Sequence, residues 1–139
     1  MDPQLYTLVK IILAVVLGGV IGYEREKHGH YAGIRTHILV CMTSTFLVGA
    51  LLSSDINFVP DSVARVCSGI LTGIGFIGAG TILSHGKEVK GLTTAASVWG
   101  VSALGIIIAI GALWEALIVT LVMIVILEMR FFALKTKIL

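Results

Sequence analysis

Five long apolar runs, separated by short segments that hold most of the charge, decide what this chain can become. Inside lipid, backbone polar groups must be satisfied within the segment or within a closed barrel. A run of about 18 or more mostly apolar residues therefore reads as a membrane-crossing helix. None of the runs alternates polar and apolar residues as a barrel strand must, so helices are expected. They are placed at residues 5–23, 34–52, 63–83, 93–110 and 113–127. Only Gly111 and Ala112 separate the last two, and a single long bent element there, giving four spans, is the alternative. With 57% hydrophobic and 13% charged residues over 139 positions, a soluble domain could not keep a polar exterior. The expected fold class is an all-α polytopic membrane protein, with one transmembrane domain over residues 1–139. The first run continues into GGVIGY and then charge, without a small-residue cleavage site, so it is read as a retained helix and not a signal peptide.

The basic residues set the expected orientation. Arg25, Lys27 and Arg35 lie between spans one and two, Lys87 and Lys90 between three and four, and Arg130, Lys135 and Lys137 after span five. The segment after span two, SSDINFVPDS, has no Lys or Arg and carries Asp55 and Asp61. The positive-inside rule then puts the N-terminus outside and the C-terminus in the cytoplasm, which requires an odd number of spans. A net charge of +2 gives no footprint for nucleic acid. Cys41 and Cys67 fall at opposite depths of their spans, so they are read as small helix residues and not as a disulfide or metal pair.

Two stretches can be overlaid. Gly19, Ile21 and Gly22 align with Gly75, Ile77 and Gly78, and Gly33, Ile34 and Thr36 align with Gly91, Leu92 and Thr94. The overlay would make two parallel helical-hairpin repeats plus one extra helix. Glycines mark where helix backbones approach, since packing holds helices together in lipid. Gly18 and Gly22 form one small step in span one, and Gly69, Gly73, Gly75, Gly78 and Gly80 make span three the glycine-rich helix. A central, tightly packed span three is expected. A locally unwound segment exposing carbonyls to an ion is the other reading.

Charge beside or within the spans is costly and draws attention to Lys10, Glu115 and Arg65, the last with Asp61 one turn earlier on the same helix face. The stretch GYEREKHGHYAGIRTH, residues 22–37, is the most charged. Glu24 and His28, and Glu26 and His30, are four apart, so a helical extension would stack each pair. Such pairs alone fall short of a metal site, which needs three or four convergent ligands; no metal or cofactor is assigned. Lys27 to Tyr31 reads as a solvated loop, whereas Glu24 to Glu26 and Gly33 to His37 form corners at headgroup level. There Arg35 can reach lipid phosphate, Glu24 or Glu26. No nucleophile, base and orienting third residue come together in the sequence, so no enzyme is expected.

The motifs GGVIGYERE, AGIRTHILV, RVCSGILTGIGFIGAGTIL and VKGLTTAASVWGVSALGI occur in this order over residues 18–106. Together they resemble the MgtC/SapB family of bacterial inner-membrane proteins. The resemblance implies that the family's characteristic charged positions are Glu24, Arg25, Glu26, Arg35 and Arg65, with its Thr-Ala segment at Thr93, Thr94 and Ala95. Thr36 and His37 complete the corner beside Arg35. It further implies links to growth at low magnesium and to virulence, and restraint of the proton-driven ATP synthase by the prototype. The prototype continues into a soluble cytoplasmic domain; this sequence stops at Leu139 and reads as a short member without it. Two functions are expected from this: a regulator that binds other membrane proteins within the lipid bilayer, with a homodimer through glycine faces, or a small-cation (Mg2+ or H+) transporter or channel.

Overall fold

The computed structural model describes residues 3–53, 60–85 and 88–135. Asp55, Lys87 and Lys137, which enter the orientation argument, lie outside the described residues. Among the described residues five helices form: α1 (Pro3–Lys27), α2 (Ile34–Ser53), α3 (Pro60–Ala79), α4 (Leu92–Ile110) and α5 (Leu113–Lys135). Four of them, α1 to α4, are long and apolar enough to cross a membrane. The protein is a multi-pass membrane protein.

α1 shows why the helices arrange as they do. Leu5, Leu8, Val9, Ile12, Val16 and Val20 are exposed, while Ala14, Leu17, Ile21 and Arg25 are buried, each set recurring at three- and four-residue spacing. Both faces are apolar, which suits a helix between lipid and protein but not one facing water. The buried face is also indented. A Cβ on Gly18 would lie 2.9 Å from the backbone oxygen of His37, and one on Gly22 would lie 2.6 Å from the Cα of Ile34. These two glycines let α1 and α2 touch backbone to backbone.

The most buried helix is α4, not the glycine-rich α3. Half of α4 is buried against 6% of α3. The expected close packing of Gly69, Gly73 and Gly75 is not found among the described residues: a Cβ on any of them would meet nothing there within 4 Å. Gly78 does lie against Ala95, where a Cβ would stand 3.3 Å from the Ala95 carbonyl oxygen, and a Cβ on Gly80 would meet the carbonyls of Ile77 and Phe76 in its own last turn. The small residues of α4 take the central place instead. Thr94, Ser97, Val101, Ser102 and Gly105 are buried, and a Cβ on Gly105 would stand 2.4 Å from the carbonyl oxygen of Cys41.

α3 ends at Ala79, four residues before the expected limit at Leu83. A short antiparallel hairpin follows, β1 (Leu83–His85) with β2 (Glu88–Lys90), pairing Leu83 with Lys90 and Ser84 with Val89. Gly91 then adopts φ +91°, where a Cβ would collide with the Thr81 carbonyl oxygen at 2.0 Å. Only glycine fits that junction. At the far end of α4, Gly111 takes φ +92° and its N–H caps the carbonyls of Ile107 and Ile108. This left-handed cap ends the helix and makes α4 and α5 two elements, against the single bent one.

The two hairpins share a local geometry. His37 N–H donates to Gly33 O and Ala95 N–H to Gly91 O. Gly22 sits against His37, and Gly78 against Ala95.

Candidate functional site

Where α1 ends, the helix runs four residues past the expected limit, to Lys27, and carries the charged corner into the bundle. Glu24 is 5% exposed and Arg25 2%. Arg25 Nε donates to Glu24 Oε2 and Nη2 to Glu24 Oε1, a bidentate ion pair between adjacent residues. Arg25 Nη2 also reaches Leu127 O on α5 at 3.5 Å. His28 Nδ1 lies 2.9 Å from Glu24 O and 3.0 Å from Glu24 Oε1. A buried guanidinium held by a carboxylate on two nitrogens and by a backbone carbonyl on one of them is an arrangement that offsets its desolvation.

Glu26 does separate work. Its Oε2 accepts from the Ile34 N–H at 2.9 Å and so caps α2, and Gly33 leaves room for that carboxylate. The expected bridge from Arg35 to Glu24 or Glu26 does not form, because Arg25 and the α2 cap already occupy both carboxylates. Arg35 is exposed and makes no ion pair among the described residues. Arg35 and Thr36 line a cavity of about 240 Å³ with Glu26, His30, Tyr31 and Gly33.

His37 is fully buried. Its Nδ1 donates to Gly33 O at 2.9 Å, and its Nε2 lies 3.1 Å from the Ser97 Oγ, whose one hydroxyl proton is shared between that nitrogen and Thr94 O at 2.9 Å. Farther along the α2–α4 seam, Ser44 and Ser102 hydroxyls meet at 3.3 Å, and Thr45 Oγ1 donates to Gly105 O at 2.9 Å. Thr94 is buried and Thr93 exposed; both line a cavity of about 390 Å³ with Gly29, His30, Tyr31 and Lys90. The loop after α1 and the start of α4 therefore share one end of the bundle.

Arg65 stands apart. It is exposed on α3 and pairs with neither Asp61 nor Glu115 among the described residues. Lys10 pairs with a backbone carbonyl of α4. Its ammonium donates to Ala109 O at 2.6 Å and lies 4.3 Å from the Tyr6 ring centroid, closing the opposite end of the bundle. Sequence reasoning missed Ser97, Leu127 and Glu128 as members of the charged corner. The recurrence of Thr94, Ser97, Ser102 and Gly105 at helical spacing was the available signal for the seam.

The chain is similar to known proteins over most of its length. Residues 11–134 match the MgtC family. The chain belongs to that family. It is 35% identical over 116 residues to the protein MgtC of Salmonella typhimurium, covering 83% of this chain and 48% of that one. The MgtC of Brucella abortus is 39% identical over 120 residues, covering 85% and 48% respectively. YhiD of Escherichia coli, whose name provisionally assigns it to magnesium transport, is 38% identical over 109 residues, covering 75% and 51%. The chain thus spans about half the length of these relatives. No solved structure matches it.

Proposed function

We infer that this MgtC-family chain is a non-catalytic regulator of the bacterial inner membrane, acting under magnesium limitation by contact with other membrane proteins. The ATP synthase is one candidate partner, from the family resemblance. The proposed topology is five spans with the N-terminus outside and the charged corner in the cytoplasm. The corresponding placement of Gly22 against His37 and of Gly78 against Ala95, looser in the second hairpin, supports reading the two hairpins as parallel repeats.

One observation carries the regulator reading: the outward face of α3. Arg65, Ser68, Gly69, Thr72 and Gly73 are exposed, and the two glycines have open space around them. Lipid is a poor neighbour for that face, since a membrane-embedded arginine and hydroxyls call for a protein or water partner. A groove of about 310 Å³ runs beside it, lined by Thr43, Ser44, Leu47, Gly69 and Gly73 among others.

The transporter reading draws support from the name of YhiD. Against it, Glu24, Glu26, Asp61 and Glu115 stand within about one turn of a helix end, and Glu128 lies at the same end of the bundle as Glu24. A cation site at mid-membrane depth calls for carboxylates or unwound backbone there, and α3 is continuous through its glycines.

Site-specific photocrosslinking in living membranes tests the regulator reading. A crosslinker at Gly73 is expected to give a discrete adduct that mass spectrometry identifies as a membrane protein. The same crosslinker at Val16, on the apolar outer face of α1, is expected to give none. Equal, lipid-only labelling at both positions would overturn the assignment.

A further inference from the structure

The charged corner contains a third donor that Glu24 and His28 lack on their own. Glu24, His28 and Glu128 each offer one ligand-type atom, and the three atoms lie within 4.8 Å of one another. Glu128 belongs to α5 and arrives from the other end of the chain. A metal ion bound at about 2.1 Å holds neighbouring ligand atoms roughly 3 to 3.4 Å apart, so side-chain adjustment of less than about 2 Å completes the set.

Charge favours an ion here. Two carboxylates face one guanidinium, and Arg25 spends its donors on Glu24 and Leu127 O. Glu128 is half-buried and has no ion pair or hydrogen bond among the described residues. Glu24 is almost fully buried, where the attraction between a carboxylate and a cation is stronger than in water. The His28 side chain is 15% exposed, which leaves a way in.

The surroundings are those of a ligating group. A carboxylate has about four lone-pair directions, so Glu24 can keep its bidentate contact with Arg25 and still bind an ion. Ligating residues are commonly held by such outer contacts. His28 Nδ1 lies 3.0 Å from Glu24 Oε1, the separation of two neighbouring ligand atoms on one ion. Two carboxylate oxygens and one imidazole nitrogen, with no thiolate, suit a divalent ion of the manganese-to-zinc range rather than a soft ion such as Cu(I).

We propose that Glu24, His28 and Glu128 form a binding site for a divalent transition-metal ion, which fastens α5 to the C-terminal end of α1. The site is separate from the α3 face, so its failure and that of the regulator reading are distinguishable.

The test uses Mn2+ with the full chain purified in detergent, because the thiols of Cys41 and Cys67 prefer softer ions. Loss of the free-ion electron paramagnetic resonance signal is expected to titrate to one Mn2+ per chain. Glu128→Gln and His28→Ala are each expected to weaken binding at least tenfold, while Glu88→Gln, on the exposed β2 strand, leaves it unchanged. A melting curve without the ion shows that each variant is folded. Pulsed resonance on the unsubstituted protein adds a measurement that needs no variant: a nitrogen coupling from the imidazole. Absence of saturable binding, binding unaffected by both substitutions, or a bound Mn2+ without nitrogen coupling would each overturn the site.

Discussion

Gly105→Ala puts a methyl group where the structure has none to spare. The new Cβ would lie 2.4 Å from the Cys41 carbonyl oxygen and 2.9 Å from Ser44 Cβ, whereas ordinary contact begins at 3.4 Å. The first obstacle is backbone, which cannot rotate away, so α2 and α4 must part by about 1 Å. That movement takes the Thr45 to Gly105 bond from 2.9 Å and the Ser44 to Ser102 contact from 3.3 Å out of hydrogen-bonding range. Overpacking costs about 1–3 kcal/mol, and two hydrogen bonds within a membrane bundle add about 0.6 kcal/mol each. The gain in helix propensity from Gly to Ala returns up to about 1 kcal/mol. A net loss of about 1–3 kcal/mol is expected. Reversible unfolding in mixed detergent and dodecyl sulfate, followed by circular dichroism, measures it. Gly73→Ala serves as the internal comparison, since its Cβ would meet nothing within 4 Å; it should be neutral or stabilising by up to about 1 kcal/mol. If Gly105→Ala is as stable as Gly73→Ala, the close α2–α4 seam is wrong.

Other consequences follow from the same packing. Arg25→Met and Glu24→Gln should each cost about 3–5 kcal/mol, with the double variant costing clearly less than their sum, because either single change strands a buried partner; a double-mutant cycle by the same unfolding assay reads the coupling, and strict additivity would deny the ion pair. Gly91→Ala should destabilise by more than about 1 kcal/mol, since it forces a left-handed conformation and a collision with Thr81 O; an unchanged melting temperature would show that the β2–α4 junction relaxes freely. Tyr31 is 75% exposed, so Tyr31→Cys, in a background with Cys41 and Cys67 replaced by serine or alanine, should react with a membrane-impermeant maleimide only in inside-out vesicles. Labelling in intact cells with a permeable outer membrane would reverse the proposed orientation.

The helices were legible because lipid leaves a chain few ways to satisfy its backbone, and Gly111 announced the break between α4 and α5. The α3 placement was not, because a glycine stripe looks the same whether it faces a neighbouring helix of this chain or open space. The β1–β2 hairpin escaped notice for another reason: three-residue strands have no periodicity to read. At the corner, Glu24, Arg25 and His37 stood out as charge or imidazole beside apolar runs. Their partners did not. Adjacent helical residues ordinarily point apart, so the Glu24–Arg25 pair was unexpected; burial against Leu127 O brings the two together. Glu128 and Ser97 reach the corner through tertiary packing alone, which single-sequence periodicity does not encode.

The central claim, regulation through membrane partners and not ion conduction, is tested most directly by flux. The purified chain reconstituted in liposomes, with magnesium-, proton- and potassium-sensitive dyes inside, should give rates equal to empty vesicles for all three ions. Sustained flux of any of them, abolished by Arg65→Gln or Glu24→Gln in protein that still folds, would contradict the account.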